Sequence, residues 1–152
     1  MKVRKISMDE TDFLENLHNH KNFAHYKKKV EDRIFRRVAD VYVLEINEKI
    51  IGEITVHYGE KSPMETIAGR RVYFSAFRIL PEYRGNGYGK MFLNEITSLL
   101  ESEGYTEFTI GVEDSNEKAA HIYKTLGFTK IIANLSEIYE GDYYEYKLLL
   151  KD

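Results

Sequence analysis

The chain has 152 residues, 43% of them hydrophobic and 31% charged, a balance that suits one folded core and argues against disorder. A net charge of -3 gives no global basic field for nucleic acid. Cysteine is absent, which excludes disulfides, thiolate metal sites and a cysteine acyl-enzyme.

In chain order, a short strand is predicted at Val3 to Ile6, followed by a helical region from about Asp9 to Ala39 with a break near Asn19 to Asn22. The basic run His25 to Arg37 within it reads as the solvated face of a helix in preference to a nucleic-acid patch. Strands at Val41 to Ile46 and Ile50 to Tyr58 flank the turn Asn47-Glu48-Lys49 and should pair as an antiparallel hairpin. A polar loop from Gly59 to Gly69 precedes the strand Val72 to Leu80. A glycine loop and a helix follow, then a strand ending at Val112, a helix carrying Tyr123, and strands near Phe128 to Ala133 and Tyr143 to Leu150. The tyrosine-rich stretch Ser136 to Tyr146 suits an edge hairpin stabilised by cross-strand aromatic pairs. An aromatic and acidic rim for a cationic amine is the second reading of it. No linker or repeat divides the chain, so a single domain is expected. No apolar stretch approaches the roughly 20 residues that span a bilayer, and no apolar core follows the opening Met1 to Glu10. A cytoplasmic location is the corresponding expectation.

The chemistry concentrates in "PEYRGNGYGK", residues 81 to 90. Glycines at 85, 87 and 89 suit a backbone that needs positive φ or close approach to a bulky visitor. Behind them Met91, Phe92, Glu95, Ile96, Leu99 and Leu100 recur at the spacing of one helical face, with Gly104 as the stop. A strand, a glycine loop and a helix N-terminus aim free backbone N–H groups and the positive helix end at an anion, most simply phosphate, with Arg84 and Lys90 adding charge. The loop is not a nucleotide P-loop, because Gly85 and Gly89 lie too close together and Met91 stands where a hydroxyl is required. Nor is it a dinucleotide fingerprint, since Lys90 occupies the third glycine's position.

The second informative segment is "TIGVEDSNEKAAHIYKTLGF", residues 109 to 128. Asp114 or Ser115 can cap a helix here. Ala119, Ala120, Ile122, Tyr123 and Leu126 follow at helical spacing, and Gly127 suits the left-handed position after the helix end. Taken alone, Tyr123 would be a half-buried core tyrosine.

R-x-x-G-x-G, at Arg84, Gly87 and Gly89, resembles the acetyl-coenzyme A loop of the GNAT superfamily of N-acetyltransferases. The downstream Asn116, Ala119, Tyr123 and Gly127-Phe128 resemble the superfamily's second motif, in the expected order. The resemblance implies a mixed, mostly antiparallel α/β sheet flanked by helices. It also implies acetyl transfer from acetyl-CoA to a primary amine of a small molecule or peptide, directly within a ternary complex and with no metal. It places the thioester and pantetheine along Ile79-Leu80 and the pyrophosphate on Arg84, Gly85, Asn86, Gly87, Tyr88, Gly89 and Lys90. Asn116 would hold the pantetheine arm, and Tyr123 would protonate the departing sulfur. No nucleic acid or membrane partner is implied, and a homodimer is compatible with the reading.

Deprotonating the amine requires a base. The strand carrying a glutamate in some members of the superfamily, here Val72 to Leu80, has no carboxylate. Glu53, Thr55 and His57 share one face of the neighbouring strand by the period-two rule, so Glu53 and His57 are candidates, with a surface pair on an exposed sheet face as the simpler expectation. The vacancy also keeps a second function open, a domain that binds acetyl-CoA without turnover.

Overall fold

The protein is described by a computed structural model covering residues 1–18, 22–139 and 141–152. Seven strands form one sheet in the order β1-β2-β3-β4-β5-β7-β6. They are β1 (Lys2–Lys5), β2 (Ala39–Ile46), β3 (Lys49–His57), β4 (Arg71–Ile79), β5 (Glu107–Glu113), β6 (Phe128–Tyr139) and β7 (Asp142–Lys151). β4 and β5 run parallel, and the other neighbouring pairs are antiparallel. The helices are α1 (Phe23–Phe35), α2 (Tyr88–Ser102) and α3 (Glu117–Thr125), preceded by a 3₁₀ segment at Met8–Leu17.

Alternation along β2 explains the layering. Tyr42 and Leu44 join the core that α2 covers with Phe92, Leu93, Ile96 and Leu100, whereas Val41 and Val43 face Leu14, Tyr26 and Val30 on the opposite side. The sheet is therefore buried on both faces over its middle strands.

The structure corrects several boundaries. The helical region between residues 9 and 39 is two elements of different pitch, and its break falls largely on residues 19–21, outside the described residues. α1 stops early because Arg37 takes a φ of 60°. Val38 N–H then reaches back to Arg33 O and Arg37 N–H to Ile34 O, a Schellman ending without its usual glycine. The hairpin turn is the pair Asn47 and Glu48, with φ of 50° and 66°, so Lys49 belongs to β3. On α2 the buried face is Phe92, Leu93, Ile96, Thr97 and Leu100, while Met91 and Glu95 are exposed. Ile122 of α3 is exposed as well. Gly104 and Gly127 take the left-handed positions expected just beyond α2 and α3.

No helix among the described residues is long and apolar enough to cross a membrane.

Candidate active site

β4 and β5 pair only from Arg71–Glu107 to Phe74–Ile110, although β4 continues to Ile79 and β5 to Glu113. The strands part because β4 carries an extra residue relative to β3: Thr55 pairs with Ser75 but Glu53 with Arg78. Ala76, inside the irregularity, has a φ of 52°, a left-handed conformation that costs a non-glycine residue about 1–3 kcal/mol. Beyond the bulge, the backbone edges that β4 and β5 turn toward each other leave the ladder, so an extended ligand can take up their hydrogen bonds.

The glycine loop lies at the end of β4. Ile79 and Leu80 are buried, and Leu80 N–H bonds Ile51 O at 2.8 Å. Arg84 Nε donates to Ile79 O at 2.8 Å, so this side chain ties the loop to the strand end as well as adding charge. Gly85 and Gly87 have φ of 80° and 81°, and a Cβ built on either meets nothing within 4 Å. Gly87 is the N-cap of α2, and the first intrahelical bond runs from Met91 N–H to Gly87 O. The N–H groups of Tyr88, Gly89 and Lys90 therefore have no helical acceptor; the space beside the cap is open at Gly87, whereas Gly89 packs against Phe77, whose ring a Cβ there would meet at 3.5 Å. Lys90 is exposed, and Asn86 Nδ2 bonds Arg84 O at 3.3 Å. The fit to a diphosphate is good: unpaired donors, a positive helix end and no side chain in the way.

Tyr123 closes the other side of the opening. Its ring lies 6.4 Å from Phe77, just past the bulge, and 6.4 Å from Phe128. Burial pushes its phenol above the ordinary tyrosine range, so the phenol is protonated at neutral pH. Asn116, rather than Asp114 or Ser115, caps α3 by accepting from Ala119 N–H at 3.1 Å. That use of its oxygen leaves the Nδ2 donors as the groups it can offer a ligand.

On the opposite sheet face the bulge opens into a cavity of about 330 Å³. Thr55, His57, Tyr73, Ser75 and Gly111 form its floor, and Tyr26, Lys29, Arg33 and Lys61 its roof. Gly111 permits this packing by close approach: a Cβ there would stand 2.7 Å from Tyr73 Oη and 2.9 Å from Tyr146 Cδ2.

Glu53 and His57 are not a surface pair. Both are buried, because α1 and the 3₁₀ segment cover the face that the period-two rule assigns them. The Glu53 carboxyl group is held by His18 Nε2, by Arg78 Nη1 at 3.4 Å and by the Tyr26 hydroxyl at 3.4 Å, so it ties β3 to α1 and β4. His57 Nε2 lies 2.7 Å from Ser75 Oγ, at the last residue before the bulge. Burial, then the charges of Lys61 and Arg33, hold the imidazole well below its usual range, so it is neutral at pH 7.

That shift has a stability consequence of definite sign. The unfolded chain takes up the proton near pH 6.5 and the folded chain resists it, so stability is complete above that value and falls as pH drops through the interval. The slope from this group is up to about 1.4 kcal/mol per pH unit. Melting temperatures between pH 7 and pH 5 should therefore fall less steeply in His57→Gln than in the parent protein.

The basic run of α1 is only partly solvated. Tyr26, Lys29, Val30 and Arg33, at i, i+3, i+4 and i+7, face inward, and the charged pair among them reaches the cavity. That spacing was the available signal for Lys29 and Arg33. Lys61 and Ser75 had none, since they enter the site through a loop and a bulge. The tyrosine-rich stretch is an edge hairpin, with Ile138 opposite Tyr143 and Leu135 opposite Tyr146, and it also lends Glu137, Tyr144 and Tyr146 to the cavity wall.

A mixed sheet whose parallel pair splays at a bulge, with a glycine-capped helix N-terminus on one side and an open cavity on the other, defines the N-acetyltransferase type of α/β domain. The chain belongs to the Acetyltransferase (GNAT) family, whose profile matches residues 3–128. It is similar to thialysine N-epsilon-acetyltransferase of Sus scrofa, 37% identical over 62 residues, which are 41% of this chain and 36% of that protein. The Mus musculus protein of the same name is 32% identical over 95 residues, 60% of this chain and 56% of that protein. The chain thus spans about half the length, or less, of these curated relatives. Among solved structures, a spermidine N-acetyltransferase SpeG chimera from Vibrio cholerae and hSSAT superposes with a TM-score of 0.76 at 20% identity, covering 99% of this chain and 95% of that one. The smu.2055 protein of Streptococcus mutans UA159 gives 0.75 at 21% identity, covering 100% and 99%. At such identities the likeness is one of fold.

Proposed function

We propose that residues 1–152 act as one cytoplasmic acetyltransferase domain that moves an acetyl group from acetyl-CoA to a primary amine of a small molecule or peptide, as a monomer or homodimer. The observation that carries the reading is the gap between β4 and β5, with the Gly87 cap at one end and Tyr123 beside it. Acetyl-CoA, when bound, supplies an activated thioester. Free N–H groups of Tyr88, Gly89 and Lys90, with Gly85 and Gly87 keeping side chains away, hold its diphosphate. Arg84 and Asn86 belong to the same diphosphate loop, and Ile79, Leu80 and Asn116 flank the path of the pantetheine arm.

The acceptor amine enters from the cavity side. Neutral His57, with Ser75 Oγ at 2.7 Å as the neighbouring hydroxyl, takes its proton. A carbon–nitrogen bond forms as the carbon–sulfur bond breaks, and Tyr123 gives its phenolic proton to the sulfur. The products are an amide and free CoA, and the two side chains then exchange their proton surplus and deficit with solvent. Without a cysteine, no acyl-enzyme on a thiol intervenes.

The test is release of CoA thiol when purified protein and acetyl-CoA meet a panel of diamines, amino acids and peptide N-termini. Turnover with one class of amine is expected. Acetyl-CoA at about 100 times its Kd should also stabilise the fold by about 2.7 kcal/mol, read as a higher Tm. A melting shift without turnover on any amine would leave the domain a binder and reject the transferase.

A further inference from the structure

Resting on the acyl-transfer reading, we propose that the cavity contains an anion subsite, built from Lys61 and Arg33 with Lys29 beside them, that seats a carboxylate of the acceptor. The amine acetylated is thereby carried by an amino acid or a similar zwitterion, in preference to a polyamine.

Several cations elsewhere in the molecule are answered by carboxylates. Arg78 meets Glu53, Arg71 meets Glu107, and Arg36 meets Asp32 and Glu60. Lys61 and Arg33 are different. Both line the 330 Å³ cavity, and neither has a carboxylate partner among the described residues. Lys61 has instead the ring of Tyr73, 5.5 Å from its Nζ. A smaller cavity of about 220 Å³ adjoins the first and shares Lys29, Arg33, His57 and Lys61; its acidic residues, Asp32 and Glu60, are both paired with Arg36, which leaves Arg33 and Lys61 as cations that no carboxylate of the described residues binds, on the side formed by α1 and the loop after β3. A cation kept in a partly desolvated cleft without a counter-ion is costly, and a bound anion removes the cost. Burial indeed lowers the Lys61 ammonium from its ordinary range, and Arg33 and Lys29 add to the effect against the opposing pull of Glu65 and, less strongly, Glu137.

The acidic side chains of the wall, Glu113 and Glu137, come from β5 and β6. A ligand with a carboxylate toward α1 and an ammonium toward β5 matches both sets. A polyamine would bring its positive charges against the cations of α1 and the loop, a like-charge juxtaposition that selects against it.

The subsite also acts on the chemistry. Lys61 and Arg33 are the charges that, after burial, depress His57. A carboxylate seated on them cancels that influence, so the imidazole becomes a stronger proton acceptor when the correct acceptor is bound. Anion binding and amine deprotonation are thus coupled through two side chains.

L-Lysine and cadaverine differ only by the carboxylate, and they form the test. The wild-type protein is expected to show a kcat/KM at least about tenfold higher for L-lysine, the worth of one or two charge-assisted hydrogen bonds. In the double variant Lys61→Met, Arg33→Gln that ratio should fall to about one, chiefly through a raised KM for L-lysine, while the acetyl-CoA melting shift shows that the variant is folded. Equal or better use of cadaverine by the wild type overturns the subsite and leaves acetyl transfer standing, as does a ratio unchanged in the double variant. Calorimetry with CoA present separates the two claims from the other side. L-Lysine binding that disappears in the variant, in a protein that acetylates neither amine, supports the subsite and rejects the transfer.

Discussion

Replacing Gly87 by valine is expected to weaken acetyl-CoA binding by about 100-fold or more while α2 stays helical. Gly87 has a φ of 81° at the N-cap, a region that a β-branched residue enters only with strain. Relief of that strain turns the cap, and with it the N–H groups of Tyr88, Gly89 and Lys90. A Cβ at this position meets no protein atom within 4 Å, so the harm comes from backbone angle and from intrusion on the ligand, without any clash in the core. Losing two charge-assisted donors, at about 1.5–3 kcal/mol each, accounts for the size of the effect. Gly87→Ala should fall between, since alanine tolerates the left-handed region better than valine. Affinity measured by calorimetry alongside circular dichroism checks the expectation. Native helicity with unchanged affinity would overturn the phosphate cradle.

How much of this was legible in the sequence follows from where information is local. The cradle was legible because its requirements are written in consecutive residues: the glycines, the strand before them and the helix behind. The Tyr123 helix was legible for the same reason, although its cap moved to Asn116 because Asp114 and Ser115 fall in the turn before it. The acceptor side was not. Glu53 and His57 were found by alternation, but alternation does not say what covers a face, and α1 turned an expected surface pair into a buried ion cluster and a neutral imidazole. The bulge at Ala76 depends on the register of β3 against β4, a pairing between distant residues that no local pattern records. Everything the bulge creates, from the Ser75–His57 contact to the opening of β4 away from β5, was hidden with it.

Proton supply to the departing sulfur is expected to depend on Tyr123. Tyr123→Phe removes one hydroxyl and keeps the ring that packs on Phe77 and Phe128, so the protein should stay folded with little change in Tm. Among the described residues the hydroxyl has no hydrogen-bond partner, and its loss strands no buried group. Acetyl-CoA affinity should change by less than about threefold, because the proton matters chiefly as charge develops on sulfur. The turnover number should fall by about 10²–10⁴, the usual worth of a positioned acid. Burial sharpens the assignment, since it raises the phenol above its ordinary range and keeps it in the acid form. With an acyl donor whose thiol is more acidic, the departing sulfur needs less help and the loss should shrink. Single-turnover rates for parent and variant with both donors decide the matter: a variant as fast as the parent where chemistry limits the rate makes Tyr123 a packing residue of α3.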